Sequence, residues 1–304
     1  MSIPDFSARD AAVRHNVYAS VRRRDGLPHH LFANYWRDVH STLCSRIPGL
    51  SWYVQQHFDR HHTANLWPIA DGVRRITAVL DGSAELGFAS LEDQALFSAA
   101  SHALYEDEHN HFSETVAYVL PAGSRTLVDR EEDGLRNGPD RLHRVHVYMN
   151  RKSGDDATAW LQDSSAELAG CPSVQKWKLH LPQPYDNARP APPSPDVDHV
   201  VEADRLNLAI AEVGFENART AREFFDGRAF QKVLAAQSRH LDAIGAYLVT
   251  GVYTFVRDGV LTAAGLRGSR PAEIIDTMGA ANQLTPDIAQ RFAPHAAPLR
   301  CAGD

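Results

Sequence analysis

The sequence predicts an α+β chain made of two successive copies of one strand-helix-strand-strand-helix-strand unit, and three observations carry that prediction. Ala84-Glu85-Leu86-Gly87-Phe88 returns as Ala211-Glu212-Val213-Gly214-Phe215. Other pairs follow in the same order: Val17-Tyr18 with Val147-Tyr148, Pro48-Gly49-Leu50 with Pro172-Ser173-Val174, His109 with His240, and Ala117-Tyr118 with Ala246-Tyr247. Along each copy the period of the apolar residues switches between two and about 3.6. A repeat this long exceeds a solenoid unit of roughly 20 to 50 residues and suits a duplicated small domain.

The elements follow from that periodicity. In the first copy a strand is expected over residues 15–21 and a helix over 31–45, where Phe32, Tyr35, Trp36, Val39 and Leu43 form an apolar stripe. Pro48-Gly49 ends the helix and starts a strand over 52–58. A third strand spans 82–88, helices 91–100 and 104–118 follow, and a short strand lies at 124–128. The second copy places strands at 142–150, 174–181, 208–215 and 251–256, with helices at 155–168 and 218–248. The domains are therefore residues 13–129 and 142–262, joined by a linker at 130–141 and followed by a C-terminal helical extension and tail, 263–304. Two long insertions, 59–81 and 183–204, fall between the second and third strands of their copies. The latter carries Pro184, Pro190, Pro192, Pro193 and Pro195, which exclude regular structure. Loops of this length commonly serve as functional lids or stay disordered.

Composition limits the function classes. The chain has 304 residues, 43% of them hydrophobic, with a formal net charge of −7. That suits a globular protein with real cores and argues against general binding to nucleic acid or anionic membrane, both of which need basic patches. Arg22-Arg23-Arg24 reads as a solvated strand end. Cys44, Cys171 and Cys301 lack the paired spacing of a disulfide framework or a cysteine zinc site, which makes a reducing cytoplasm the expected compartment. No signal-like apolar core precedes Ala12, and no apolar run is long enough to span a bilayer.

Three separated motifs carry a family likeness: Phe32-Ala33-Asn34-Tyr35-Trp36-Arg37-Asp38-Val39-His40, then Pro48-Gly49-Leu50-Ser51-Trp52-Tyr53, then the segment from Asp81-Gly82 through Ala84-Glu85-Leu86 to Glu92-Asp93. In that order they resemble the EthD-like group of the dimeric α+β barrel superfamily across residues 14–128, with a weaker likeness from 141 to 257. The resemblance implies two ferredoxin-like units packed sheet to sheet as a pseudo-dimeric α+β barrel around a central cavity. Relatives include cofactor-free methylmuconolactone isomerases, aromatic polyketide cyclases and decarboxylases, while other branches are monooxygenases or haem enzymes, so the fold alone does not choose a reaction.

Strand alternation predicts what lines that cavity. With Trp52, Val54 and Phe58 against the helices, Tyr53, Gln55 and His57 face the lumen. With Ala84, Leu86 and Phe88 against the helices, Glu85 faces the lumen, and so do Asn16, Tyr18 and Ser20. The second copy adds His146, Tyr148, Lys176, Lys178 and Glu212. Histidine, tyrosine and glutamate among apolar walls suit proton transfer next to a carbonyl, since partial burial brings carboxylate and imidazole pKa values toward neutrality and tyrosine can hydrogen-bond an enolate.

The expected catalytic residues are His40, His57, Glu85 and Tyr53, with Tyr18, Trp36, Trp67, His146, Tyr148 and Glu212 lining the substrate. The resemblance implies a role for His40, which sits in the motif that holds an active-site histidine in the methylmuconolactone isomerases; its counterpart in the second copy, counting back from the proline turn, is Ser164. The bland alternative is a His40 that only braces helix packing; Glu85 and Glu212 are either paired catalytic carboxylates or inherited structural ones. No metal site is expected: His61 and His62 belong to a loop, and His109 and His111, if helical, project from different sides. No cofactor is expected, and no phosphate loop or hydrolase elbow occurs. The reaction predicted is a cofactor-independent lyase, isomerase or cyclase step on an oxygenated cyclic, aromatic or polyketide-like small molecule. The alternatives are a haem-dependent enzyme, with His240 or His109 as candidate ligand, and a non-catalytic small-molecule binder. Nucleic acid and membranes are not expected partners; a homodimer is a possible assembly.

Overall fold

The computed structural model describes residues 4–62, 64–190 and 194–293; Cys301, Pro192 and Pro193 lie outside them. The first unit contains β1 (His15–Arg23), a helical segment α1 built from His29–Tyr35, Trp36–His40 and Ser41–Ser45, β2 (Trp52–Phe58), β3 (Gly82–Phe88), α2 (Leu91–Ala100), α3 (His102–Glu108) and β4 (Phe112–Leu120). A strand β5 (Ser124–Asp129) follows. The second unit contains β6 (His143–Arg151), α4 (Asp155–Ala169), β7 (Val174–His180), β8 (Leu208–Phe215), α5 (Ala218–Asp226), α6 (Arg228–His240) and β9 (Leu241–Arg257). Helices α7 (Ala263–Arg267), α8 (Ser269–Thr277) and α9 (Pro286–Phe292) close the described chain.

The strand order is β4-β1-β3-β2-β9-β6-β8-β7-β5. Within each unit the first strand lies between the third and the fourth, the ferredoxin-like order. Each fourth strand then runs on into the other unit. The first half of β9 pairs with β6, whereas Val249 to Arg257 pair with β2. In the first unit the same extension is broken by a turn at Pro121 to Gly123, after which β5 pairs with β7. Gly123 has a φ of +70°, and an added Cβ would meet the Arg14 carbonyl oxygen at 2.9 Å, so the turn requires glycine. Two ferredoxin-like units thus close one α+β barrel.

Two boundaries differ from the sequence expectation. The helix expected over 104–118 stops at Glu108, and the helix expected over 218–248 breaks at Gly227 and ends at His240; strands β4 and β9 take the remainder. Thr115, Val116, Tyr118 and Val119 in one, and Ile244, Tyr247, Val249 and Val252 in the other, favour the pleated backbone. The repeat alignment also changes. Tyr18 lies opposite Glu85 and Tyr118, and His146 lies opposite Glu212 and Tyr247. Tyr18 therefore corresponds to His146 rather than Tyr148, while Tyr118 and Tyr247 remain equivalent. By the same register His240 corresponds to His111, not His109.

Three apolar clusters fill the molecule. One lies between the first sheet and its helices and includes Phe32, Trp36, Tyr53, Phe88 and Phe112, with Leu266 and Ala272 from the C-terminal helices. A second occupies the equivalent layer of the other unit. The third fills the barrel lumen, with Tyr18, Trp52, Phe58, Tyr118, Tyr148 and Ile210. Among the described residues no helix is long and apolar enough to cross a membrane.

Candidate active site between the first sheet and its helices

The site starts with an irregularity in α1. Trp36–His40 forms a π-helical turn, a wider turn that often marks functional positions. It replaces the stripe expected from the sequence: Val39 and Leu43 are exposed, and Phe32, Trp36, His40 and Cys44 are buried instead. The wider turn advances the inward row by four residues at a time and carries His40 under the helix. Gly82 makes room beside it, since a Cβ there would lie 2.5 Å from the Trp36 ring.

His40 meets the last turn of α3 and the turn that follows it. Its Nδ1 lies 2.9 Å from Oδ2 of Asp107, whose Oδ1 accepts hydrogen bonds from the Tyr35 hydroxyl at 2.6 Å and the Asn110 amide at 3.0 Å. Burial raises the Asp107 pKa, but the hydrogen bonds from His40 and Tyr35 outweigh it and hold the carboxyl below its usual range. The carboxylate therefore stays charged and fixes the His40 ring. His111 completes the cluster, its ring centroid 4.5 Å from that of His40. Burial, reinforced by His40, pushes its pKa well down. His111 is not helical as the sequence allowed: it follows α3 and is 0% exposed, and neither ring nitrogen meets hydrogen-bond geometry, although the Asp107 backbone lies close enough to oppose the fall of its pKa. His109, His61 and His62 are exposed.

Beside this cluster the Trp36 indole stacks on His57 at 4.6 Å. Gln55 donates to the Trp36 carbonyl and to the Tyr53 hydroxyl, and its Oε1 lies 3.2 Å from His57 Nε2. Tyr53, Gln55 and His57 thus face the helices, and the lumen-facing orientation expected for them is reversed. The register explains why: cross-strand neighbours share a face, and Tyr53, Gln55 and His57 lie opposite Leu86, Ala84 and Gly82. Every residue of β2 is buried, so polarity gives no phase for this strand. Burial drives the His57 pKa down to about 3, past the neutral range expected for a shuttle, and raises the Tyr53 pKa well above its ordinary value.

The lumen side matches the expectation for β1, β3 and the second unit, but the groups there are engaged with one another. Tyr148 donates to Tyr18 at 3.0 Å, and the Tyr18 hydroxyl is hydrogen-bonded to Nδ1 of His146 at 2.7 Å. Burial lowers His146 to about 3 and raises both tyrosines. Glu85 sits 2.7 Å from Lys178 and accepts from Asn16 at 2.7 Å. Glu212 is paired with Arg144; burial raises its pKa, and Lys176 and Arg144 pull it below the carboxylate range. A cleft in this ion network, lined by Trp52, Gln56, Arg144, Lys178 and Glu212, holds about 30 Å³, room for one or two waters. The sheet therefore separates the expected constellation: His40, His57, Tyr53 and Trp36 lie on the helical side, and Glu85, Tyr18, His146, Tyr148 and Glu212 in the lumen. Trp67 joins neither group. It is packed edge-on against Trp177, Phe225 and Phe230 in the second unit.

Asp107, Tyr35 and His111 were not singled out as site residues from the sequence. Asp107 had no signal of its own, because its role comes from a contact 67 positions away.

No family model matches the chain, and no curated protein matches it either. Among solved structures, an anthrone oxidase-like protein aligns over 83% of this chain and 96% of its own, with 11% identity and a TM-score of 0.49. Chlorite dismutase from Candidatus Nitrospira defluvii aligns over 78% of this chain and 90% of its own, with 12% identity and a TM-score of 0.37. At these identities and scores, neither likeness transfers a reaction to this chain.

Proposed function

We propose that this chain is a small-molecule enzyme of the lyase or isomerase type, a cyclase or decarboxylase, whose reacting group is His40 in the layer between the first sheet and its helices. The observation that carries this reading is the pair of buried His40 with half-buried Asp107. A charged carboxylate on Nδ1 sets the tautomer and leaves Nε2 to take or return a proton. Tyr35, on the same carboxylate, supplies a hydroxyl next to the dyad, and Trp36 with His57 offers an aromatic wall for an oxygenated cyclic, aromatic or polyketide-like substrate. His57 acts as a neutral wall residue. Glu85 and Glu212 serve the barrel as ion-paired struts rather than as acid and base. This dyad needs no redox cofactor for proton transfer.

The EthD-like resemblance supports the same placement, because its first motif ends on His40, and we read residues 13–129 and 142–262 as tandem copies of that domain. The haem alternative gains nothing at His240, which lies flat on Trp160 with ring centroids 4.6 Å apart. The test is proton exchange at carbon next to a carbonyl, followed by NMR in deuterated water across a panel of cyclic β-dicarbonyl and polyketide-like compounds. Exchange that His40→Ala abolishes and His57→Ala only weakens supports the reading. Tight binding of a panel member with no exchange or turnover makes the chain a non-catalytic binder instead.

A further inference from the structure

We infer that His40, Asp107 and His111 form a binding site for a single divalent transition-metal ion of the zinc type. One ligand atom from each lies within 4.8 Å of the other two. Donors held at 2.0–2.1 Å by a tetrahedral ion sit about 3.4 Å apart, so closure asks roughly 1.5 Å or less of any of them. His40 and Asp107 are already 2.9 Å apart, which leaves most of the movement to His111.

The second, independent observation is His111 itself. It is fully buried, and neither ring nitrogen makes a hydrogen bond of good geometry, the nearby Asp107 backbone notwithstanding; a buried polar group so poorly satisfied is costly unless something binds it. It is also aimed at this cluster, with its ring against those of His40 and Tyr35. Two imidazoles and one carboxylate suit a borderline first-row ion better than magnesium or calcium, and leave coordination positions for water or a substrate oxygen. Outer support is present: the Tyr35 hydroxyl and the Asn110 amide hold the far oxygen of Asp107, the arrangement that orients ligands around metals.

The site stands on geometry. Only its consequence for turnover rests on the acid–base reading: an ion on this cluster withdraws His40 from proton transfer.

The experiment is calorimetric titration of the demetallated full chain with zinc chloride. One ion per chain is expected, with affinity reduced ~100-fold or more in His111→Ala and unchanged when the exposed His61 and His62 are replaced by alanine. Asp107→Asn, which keeps the side-chain shape, provides the same reading should His111→Ala fold poorly. No binding by the native chain, or equal affinity in His111→Ala and Asp107→Asn, overturns the site. A chain that binds zinc and never catalyses proton exchange loses only the acid–base reading. One that catalyses exchange without binding zinc loses the metal site.

Discussion

The two sheet-helix layers of this protein share a backbone plan and differ in what fills them. Register aligns Tyr53 and Gln55 of β2 with Trp177 and Leu179 of β7, and two residues further along, at the place of His57, Leu181 follows the end of β7. Where the first layer has His57 stacked under Trp36, the second has Leu181 and an apolar cluster completed by Trp67, Phe224, Phe225 and Phe230. His40, the last residue of its π turn, has Ser164 of the regular helix α4 as its counterpart when counted back from the proline turn. An insertion from the first unit's own long loop, carrying Trp67, fills the second layer. The lesson is that the second layer is closed by aromatic packing, whereas the first keeps a carboxylate, two histidines and a tyrosine, the groups on which the proposed chemistry rests.

Four changes break or sharpen this contrast, in descending order. Once a proton-exchange substrate is in hand, His40→Ala is expected to lower kcat by about 10² to 10⁴-fold in protein that still folds, with a stability loss of about 1 to 3 kcal/mol from the lost Asp107 bond. Trp67→Ala should do the reverse, removing about 3 to 5 kcal/mol of stability through a cavity in the second layer, read from the denaturant midpoint, with exchange in the folded protein intact. Lys178→Met strands Glu85 without its partner, and a loss of about 3 kcal/mol is expected; unchanged stability with lost activity would return Glu85 to the catalytic set. Ser164→Ala, at the counterpart of His40, should stay within about 0.5 kcal/mol of native stability and alter no rate.

Acid pH probes the first layer and the lumen together. His57, His146 and His180 are each held near a pKa of about 3 by burial, against about 6.5 in the unfolded chain. Between those values the unfolded state binds more protons, so stability must fall as pH drops from about 6.5 toward 3. Urea midpoints measured at half-unit steps should show this decline, and a flat profile across that window contradicts neutral burial of these rings.

Much of the barrel was legible in the sequence because it depends on alternation. Ala84, Leu86 and Phe88 against Glu85, and Val17, Ala19 and Val21 against Tyr18, gave the faces of β3 and β1 correctly. The Pro48-Gly49 turn held, with Gly49 at φ +98°. The strand after His240 was not legible, because α6 passes into β9 with no glycine or proline between them. The phase of β2 was hidden by burial on both faces. His40 was readable as a residue of interest; its partner Asp107, and the burial of His111, come from a fold contact between α1 and the end of α3 with the turn after it that no local pattern announces. The two-residue slip at Val17-Tyr18 has the same origin, since a Val-Tyr pair recurs in β6 at a register different from its true counterpart.

The claim that reactivity belongs to the first layer is tested most directly by side-chain NMR of the histidine rings while a binding carbonyl compound is titrated in. The account predicts shifts at His40, His57 and His111, with His146 and His180 in the lumen and His240 in the second unit unmoved. Shifts confined to His146 and His180 would contradict it and return the site to the barrel interior.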